Sequence, residues 1–584
     1  MKKHILTCFL ASLCLNGSAL LAQVADSPGA DFLHRSGPSV SFGLGDTHRG
    51  GETRSDTLPE NSGLVDHSGQ GQEGESPSAS RDIQENPMLF YLQVRSDIPL
   101  NNLRITFLEG VIDTGTAMPS LYEATGQFQP GSMWDGGFGA EWVRLSIPSK
   151  QAGLLSMYLD ESRIINEYLI FPGDSIKMFI DLQKGEKVFA GPGYALFELQ
   201  EQAEKLLARI TREEGMKLHV RKGKNLFGSE ERLREFEQSQ LDFGAKARLV
   251  PIDVPEMLKA WEETTTDPVY FRELGHLLSY YEGIIAPEIL AYLKSELQSA
   301  FYIKQTGRLQ TLLGYAKSEQ ERDLIRETFT EFLPAYDVGL KTSGLLPPPE
   351  KQIALRYRIL RLQAKLENQR IGELILNYPD GNFRDFILGK HISQMVKMGT
   401  ESPEELEGLA AQVTNPSIRQ QVQELVEAIQ PESKITDFVF KDEDGKVYRL
   451  SDFEGKTLLV NTYFTGCSAS SAYYKNVLSK IEQELGGRGD LVLISLSADR
   501  EAGIWEKGNA SGLYNSDNWL RLNTGDKGYS HPFFRNYLIS SAPRPILIGP
   551  DGRLISVTQL YTDPDHLRDL IVKSISQKPI SHVQ

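Results

Sequence analysis

Reactive side chains are few in this chain, and Cys467 stands out among them. It lies in the stretch LLVNTYFTGCSASSAYYK, Leu458 to Lys475, where a buried-strand pattern passes through a short turn into a helical one. A thiol at the N-terminus of a helix faces free backbone N–H groups and the positive end of the helix dipole. Both favour the thiolate, which is the nucleophile. Such a sulfur can attack a disulfide and form a mixed disulfide with a partner. At the C-x-x-C spacing, where a second thiol would resolve that intermediate, the chain has Ser470. One turn on, Ser470 can donate a hydrogen bond to the sulfur, but it cannot release the partner. A complete dithiol–disulfide cycle within this chain is therefore excluded. Monothiol chemistry survives, either as isomerisation resolved by the substrate's own thiol or with an external thiol. The competing reading is that Cys467 is a small hydrophobe packed at a strand–helix junction.

Composition narrows the partners. The chain has 584 residues, enough for several domains, with a formal net charge of −16. That balance argues against nucleic acid and against a polybasic membrane surface. Beyond the first 25 residues no apolar run reaches the ~18 needed to span a bilayer. The start reads as a cleavable export signal over residues 1–22: MKKH is basic, ILTCFLASLCL is apolar, and NGSALLAQ offers cleavage after Ala22. Leu13 precedes Cys14 where a lipoprotein box wants a small residue, so a soluble export product is expected, placed in the periplasm or cell envelope. Cys8 and Cys14 leave with the signal, and Cys467 becomes the single thiol of the mature chain.

The elements that must position this thiol follow from changes of period. Residues 23–86 are rich in Gly, Ser, Pro and charge, with Phe32 and Phe42 the only aromatics, and read as a disordered arm. PSVSFGLG within it could instead add one strand to the next domain. Residues 87–192 alternate with period two. EWVRLSI sets Val143, Leu145 and Ile147 against Arg144 and Ser146, and DSIKMFID puts Ile176, Met178 and Ile180 on one face. A small antiparallel, sandwich-like β domain is expected there. From 193 to 431 the period is helical, as in Leu196, Leu199, Ala203, Leu206 and Ile210, and the expectation is an all-α middle domain broken near Pro347. Tyr280, Tyr281 and Tyr357 read as core residues of those helices. From 432 to 584 strands and helices alternate, with a hairpin at Pro550, Asp551 and Gly552 and a closing helix capped by Asp563.

The last of these segments resembles the TlpA/ResA-like thioredoxin-fold proteins of the AhpC/TSA-redoxin superfamily, which are exported thiol–disulfide reductases. The resemblance rests on DFVFKDEDGKVYRLSDFEGKTLLVN, on SLSADREAGIW with Asp499 and Trp505, and on SAPRPILIGPDGRLI. The β segment ending EYLIFPGDSIKMFIDL is similar to domains that often precede such modules, whereas the helical middle resembles no family. The resemblance implies an α/β thioredoxin-like fold with Cys467 as nucleophile. It implies a cis proline at Pro543 and presentation of the Ala542 backbone to an extended peptide. Gly466, Ala469, Ser470, Tyr473 and Lys475 depart from the family's motif tryptophan, proline, second cysteine, glutamate and helix-kinking proline. The peroxiredoxin pattern fails at Val460 and Phe464. A copper-carrying relative would need a second thiol at Ser471 and a later histidine. His531 is the candidate for the latter, but in YSHPFF it reads as a surface or turn residue.

Thiol–disulfide exchange on exported proteins through Cys467, with Ser470 supporting the thiolate and Ala542–Pro543 shaping the groove, is thus the leading expectation. No cofactor and no metal are called for. The alternative is a non-catalytic thioredoxin-fold binding or scaffolding protein of the envelope.

Overall fold

The computed structural model describes residues 87–576, apart from 97–99, 110–120, 132–139, 161, 212–216, 221–228, 235–237, 239–247, 266–267, 337–345, 380 and 562. The expected signal at 1–22 and arm at 23–86 lie outside the described residues. The chain divides into two compact units, the smaller built from most of the β segment up to Tyr194, the larger from Ala195 onward together with the described residues of the stretch between Phe107 and Tyr122.

In the β segment the described strands form two sheets. One has the order β4 (Gln129–Pro130), β5 (Ala140–Ile147), β1 (Met88–Arg95), β8 (Ser175–Asp181), β9 (Glu186–Ala190). The other runs β3 (Leu121–Gln127), β2 (Asn102–Leu108), β6 (Gly153–Leu159), β7 (Ser162–Ile170). The period-two reading holds residue by residue. Ile176, Met178 and Ile180 are buried while Lys177 between them is exposed. One expectation needs correction: β1 pairs parallel with β8, Phe90 opposite Ile176 and Leu92 opposite Met178, so the first sheet is mixed. Alternation reports which face a side chain takes, not the direction of the neighbouring strand.

The larger unit opens with helices α1 (Tyr194–Thr211), α2 (Val254–Thr265), α3 (Pro268–Tyr280), α4 (Pro287–Tyr315) and α5 (Glu319–Phe332). It is not all helical, because β10 (Lys217–Val220) and β11 (Arg248–Pro251) form a parallel pair. Tyr281 and Tyr357 are buried as expected, but Tyr280 is 72% exposed. Successive residues at a helix end point about 100° apart, so neighbouring tyrosines cannot share a face.

After the Pro347–Pro349 break come α6 (Glu350–Glu367), α7 (Ile371–Leu376), α8 (Asn382–Met398), α9 (Pro403–Ala410) and α10 (Pro416–Glu427). Proline supplies no side-chain cap for α6, and buried Glu296 of α4 takes that role. It accepts hydrogen bonds from the N–H groups of Lys351 (2.9 Å) and Gln352 (3.2 Å). Burial outweighs these donors and the nearby Lys351, and pushes the Glu296 carboxyl up to about 7. A carboxyl whose folded value lies above its unfolded value of 4.5 binds more protons when folded, so stability falls as pH rises between the two. The unfolding free energy from urea titrations should therefore decline from pH 5 to pH 8, by on the order of 3 kcal/mol for this group alone. Glu296→Gln should flatten that limb; an unchanged slope would show that Glu296 does not titrate there.

The seven-stranded sheet of the C-terminal segment has the order β13 (Val447–Arg449), β12 (Val439–Lys441), β16 (Leu520–Asn523), β15 (Leu491–Ser497), β14 (Thr457–Tyr463), β17 (Arg544–Ile548), β18 (Leu554–Ser556). β14, β15 and β16 are parallel, and β17 runs antiparallel to β14 and to β18. Taken in chain order, β14, β15, β17 and β18 occupy positions 3, 4, 2 and 1 across that part of the sheet, with β17 reversed. This is the thioredoxin arrangement. The connecting helices are α11 (Ser468–Tyr473), which passes through a π turn at Tyr474–Leu478 into α12 (Ser479–Leu485), then α13 (Ala502–Ala510), α14 (Pro532–Asn536) and α15 (Pro564–Ser576). Asp563 caps α15 by accepting from the His566 N–H at 3.0 Å.

The seven residues of β14 are all buried, as a strand covered on both faces must be. Leu459, Leu491, Leu493 and Leu547 pack with Leu478, Ile481, Leu567 and Ile571 of α12 and α15 and their surroundings. The opposite face, with Leu458, Val460, Ile494 and Ile546, belongs to a second cluster. That cluster continues through Phe438, Phe533 and Phe534 into Ile353, Ile387, Ile392, Val422 and Leu425 of α6, α8 and α10. The boundary expected at 431/432 therefore does not separate two cores. Helical periodicity ends there, but burial does not, because the apolar stripes of α6–α10 complete the same core as the sheet.

Candidate functional site

Cys467 follows β14 and is the N-cap residue of α11. Two turn residues before it are fixed from neighbouring elements. Asp499, just past β15, accepts from the Thr465 N–H at 3.1 Å and the Thr465 hydroxyl at 2.7 Å; the Ser497 hydroxyl donates to it at 2.9 Å. Gly466 donates its N–H to the Tyr514 hydroxyl at 2.8 Å and has φ +92°, a left-handed conformation that favours glycine. This accounts for glycine at the position where the resembled family carries tryptophan.

Cys467 is buried, 5% exposed as a residue. Its sulfur accepts the Ser470 backbone N–H at 3.4 Å and lies 3.5 Å from the Ala542 carbonyl oxygen, to which the thiol donates. The Ala542–Pro543 bond is cis. The structure thus brings Cys467, Ser470, Ala542 and Pro543 together, with one difference from the sequence expectation. Ser470 supports the sulfur through its backbone. The residue is fully buried, and its hydroxyl has no hydrogen-bond partner among the described residues. At the third residue of a helix the N–H points back to the cap, whereas the side chain projects sideways into the core.

Around the thiol stand two phenols whose place the sequence did not suggest. Burial raises both Tyr514 and Tyr529 above the usual tyrosine value, so both keep their protons at neutral pH. The Tyr529 hydroxyl is buried and has no hydrogen-bond partner among the described residues. Tyr529 lines an open hollow of about 330 Å³ with Phe464, Asp499, Arg500, Glu501 and Ile504. Tyr463, the last residue of β14, stacks on Tyr514 at 5.0 Å and donates to Asn509 at 2.6 Å, which ties β14 to α13.

His531 is not at the surface. It is 8% exposed, caps α14 by accepting from the Phe533 N–H at 3.2 Å, and packs 5.3 Å from the Phe440 ring. Burial lowers its basicity, and a neutral imidazole suits an accepting cap. Among the described residues no group of three or more His, Cys, Asp or Glu side chains could hold a metal ion, and no helix is long and apolar enough to cross a membrane.

Tyr514, Tyr529 and Arg544 were not singled out from the sequence. The tyrosines carry no local signal, since they reach the thiol through loops 47 and 62 residues downstream of it. Arg544 does carry one, being a charged residue at the head of the apolar run RPILI.

No family model matches the chain, and no curated protein matches it. Solved structures similar to part of it include the thioredoxin domain of a thiol-disulfide oxidoreductase from Bacteroides vulgatus, at 22% identity over 25% of this chain and 99% of that one, with a TM-score of 0.22. A thiol:disulfide interchange protein from a Bacteroides species is 22% identical over 27% of this chain and 97% of its own, with a TM-score of 0.23. The likeness is confined to about a quarter of the chain, and the sheet order described above is what carries the thioredoxin-like fold.

Proposed function

We propose that this protein is an exported, cell-envelope thioredoxin-like protein that exchanges disulfides with other exported proteins through Cys467 alone. The observation that carries the reading is the seat of the sulfur, at a helix N-cap between the Ser470 N–H and the Ala542 carbonyl, beside Pro543. The thiolate attacks one sulfur of a partner's disulfide. A Cys467–partner S–S bond forms, the partner's own S–S bond breaks, and its second sulfur leaves as a thiolate. Release follows when that thiolate, or an external thiol, attacks the mixed disulfide and returns the electron pair to Cys467. Ala542 and Pro543 border the sulfur and would align the partner's backbone. The export signal read at residues 1–22 supports an envelope location, where such disulfides persist.

A second reading is favoured by the burial of the sulfur and by Ser470 in place of a resolving thiol: a binding or scaffolding protein in which Cys467 is packing. One experiment separates them. The folded protein is incubated with a disulfide-bonded peptide, and adducts are resolved by mass under non-reducing conditions. Exchange predicts a mixed disulfide that Cys467→Ser abolishes completely. If wild type forms the adduct only in denaturant, exchange is wrong and the scaffolding reading stands.

A further inference from the structure

The residue after the cis proline links the thiol's surroundings to the helical layer. Arg544 opens β17, where it pairs with Thr462 of β14; the Thr462 hydroxyl donates to the Arg544 carbonyl and accepts its N–H, both at 3.1 Å. Its side chain leaves the sheet and is 5% exposed as a residue. Nη2 donates to the Val396 carbonyl at 2.8 Å and Nη1 to the Lys397 carbonyl at 3.1 Å. These are carbonyls of the last turn of α8, where the helix presents unsatisfied acceptors and the negative end of its dipole.

Among the described residues no carboxylate pairs with this guanidinium, and its Nε has no partner. A cation buried on those terms is held by the helix end itself. The fit is close on both sides. Gly399 ends α8 in the left-handed conformation at φ +64°, and a Cβ there would collide with the Arg544 guanidinium. The Gly399 carbonyl also accepts the Gln559 N–H at 2.6 Å. The end of α8 is therefore latched to the segment that carries Ala542, the residue in contact with the sulfur.

We infer that Arg544 is a positioning residue for Cys467: by holding the C-terminal end of α8, it makes the helical layer set how closely Ala542 and Pro543 cover the thiol. The helical segment then acts as part of the reactive site, and whatever strains α8 changes access to Cys467. This deepens the proposed exchange function and rests on it for its biological meaning, but its physical content can be tested on its own.

The test is the rate of Cys467 alkylation by iodoacetamide in the folded full chain, measured alongside urea stability. Arg544→Met removes both latch bonds and should raise the native-state rate at least about tenfold by freeing the cover. Gly399→Ala keeps every charge but displaces the guanidinium, and should raise the rate in the same direction. Arg544→Lys, which retains a cation, should recover part of the protection. Ile418→Ala, in the same core but away from the latch, controls for general loosening.

A rise in the latch variants beyond that of Ile418→Ala at matched stability supports the inference. Equal rises, or lost stability with an unchanged rate, overturn it and leave Arg544 a structural residue. If Arg544→Met does not fold, Gly399→Ala and Arg544→Lys decide by the same comparison. Should wild type fail to form mixed disulfides while the latch variants still alter alkylation, the exchange function falls and the positioning role stands.

Discussion

Ser470→Cys is expected to turn the single-thiol site into one that cycles. Residue 470 sits one turn into the helix capped by Cys467, and its hydroxyl is buried with no partner to lose. A thiol there replaces an unsatisfied polar atom with a softer one, so stability should hold or improve. The two residues stand at the C-x-x-C spacing at the end of a central parallel strand, and a χ1 rotation at 470 would turn the new thiol from the core towards Cys467. On mild oxidation the variant should lose two hydrogens by mass and become inert to alkylation. On reduction it should regain both thiols. Its turnover against a peptide disulfide should exceed wild type by on the order of 100-fold, because the mixed disulfide is now resolved from within the chain, at high effective concentration. If no internal disulfide forms in the folded variant, the turn does not hold the thioredoxin geometry, and the case for exchange at Cys467 weakens with it.

The second large effect is expected at Asp499. Its carboxylate is the common acceptor for the Thr465 N–H, the Thr465 hydroxyl and the Ser497 hydroxyl, and so holds the turn that delivers Cys467. Asp499→Ala takes this acceptor from the Thr465 N–H and the Ser497 hydroxyl in a largely buried place, while the Thr465 hydroxyl keeps the Ile504 carbonyl at 3.2 Å, and should cost about 2–4 kcal/mol in urea unfolding. The Thr465–Gly466 turn should loosen, and alkylation of Cys467 in the folded state should accelerate with it. Thr465→Val, which removes one of the bonds but keeps the acceptor, should cost about 1 kcal/mol. A loss below about 0.5 kcal/mol for Asp499→Ala would place it with ordinary surface positions and refute the network as the anchor of the turn.

Local patterns carried much of the architecture. Alternation in DSIKMFID and EWVRLSI located two strands and their buried faces. The apolar run LLVNTY read correctly as a strand buried on both sides, and the order of elements after it led to the thioredoxin-like sheet. Hydrophobic period is a property of consecutive residues, and so is visible in one sequence. The seat of the thiol was legible for the same reason: a cysteine between a buried strand and a helical pattern must sit near the helix N-terminus.

What the sequence could not contain was the closing of distance between remote segments. That α6–α10 share a core with the C-terminal sheet follows from which apolar stripes meet, not from their spacing along the chain. Ser470 stands in the first turn of the helix that Cys467 caps, but its hydroxyl does not reach the sulfur, because the helix presents the N–H to its cap and turns the side chain into the core. His531 was read as a turn residue and does cap a helix, yet Phe438 and Phe440, about 90 residues earlier, bury it. Tyr514 reaches Gly466 and Arg544 reaches the end of α8 across 48 and 148 residues respectively. The sequence by itself determined the local periods, the candidate thiol at Cys467 and the absence of a second one at the C-x-x-C position beside it. Only the tertiary structure decided which backbone groups, phenols and helix ends surround that sulfur, since those partners are selected by packing between segments that carry no mark of one another.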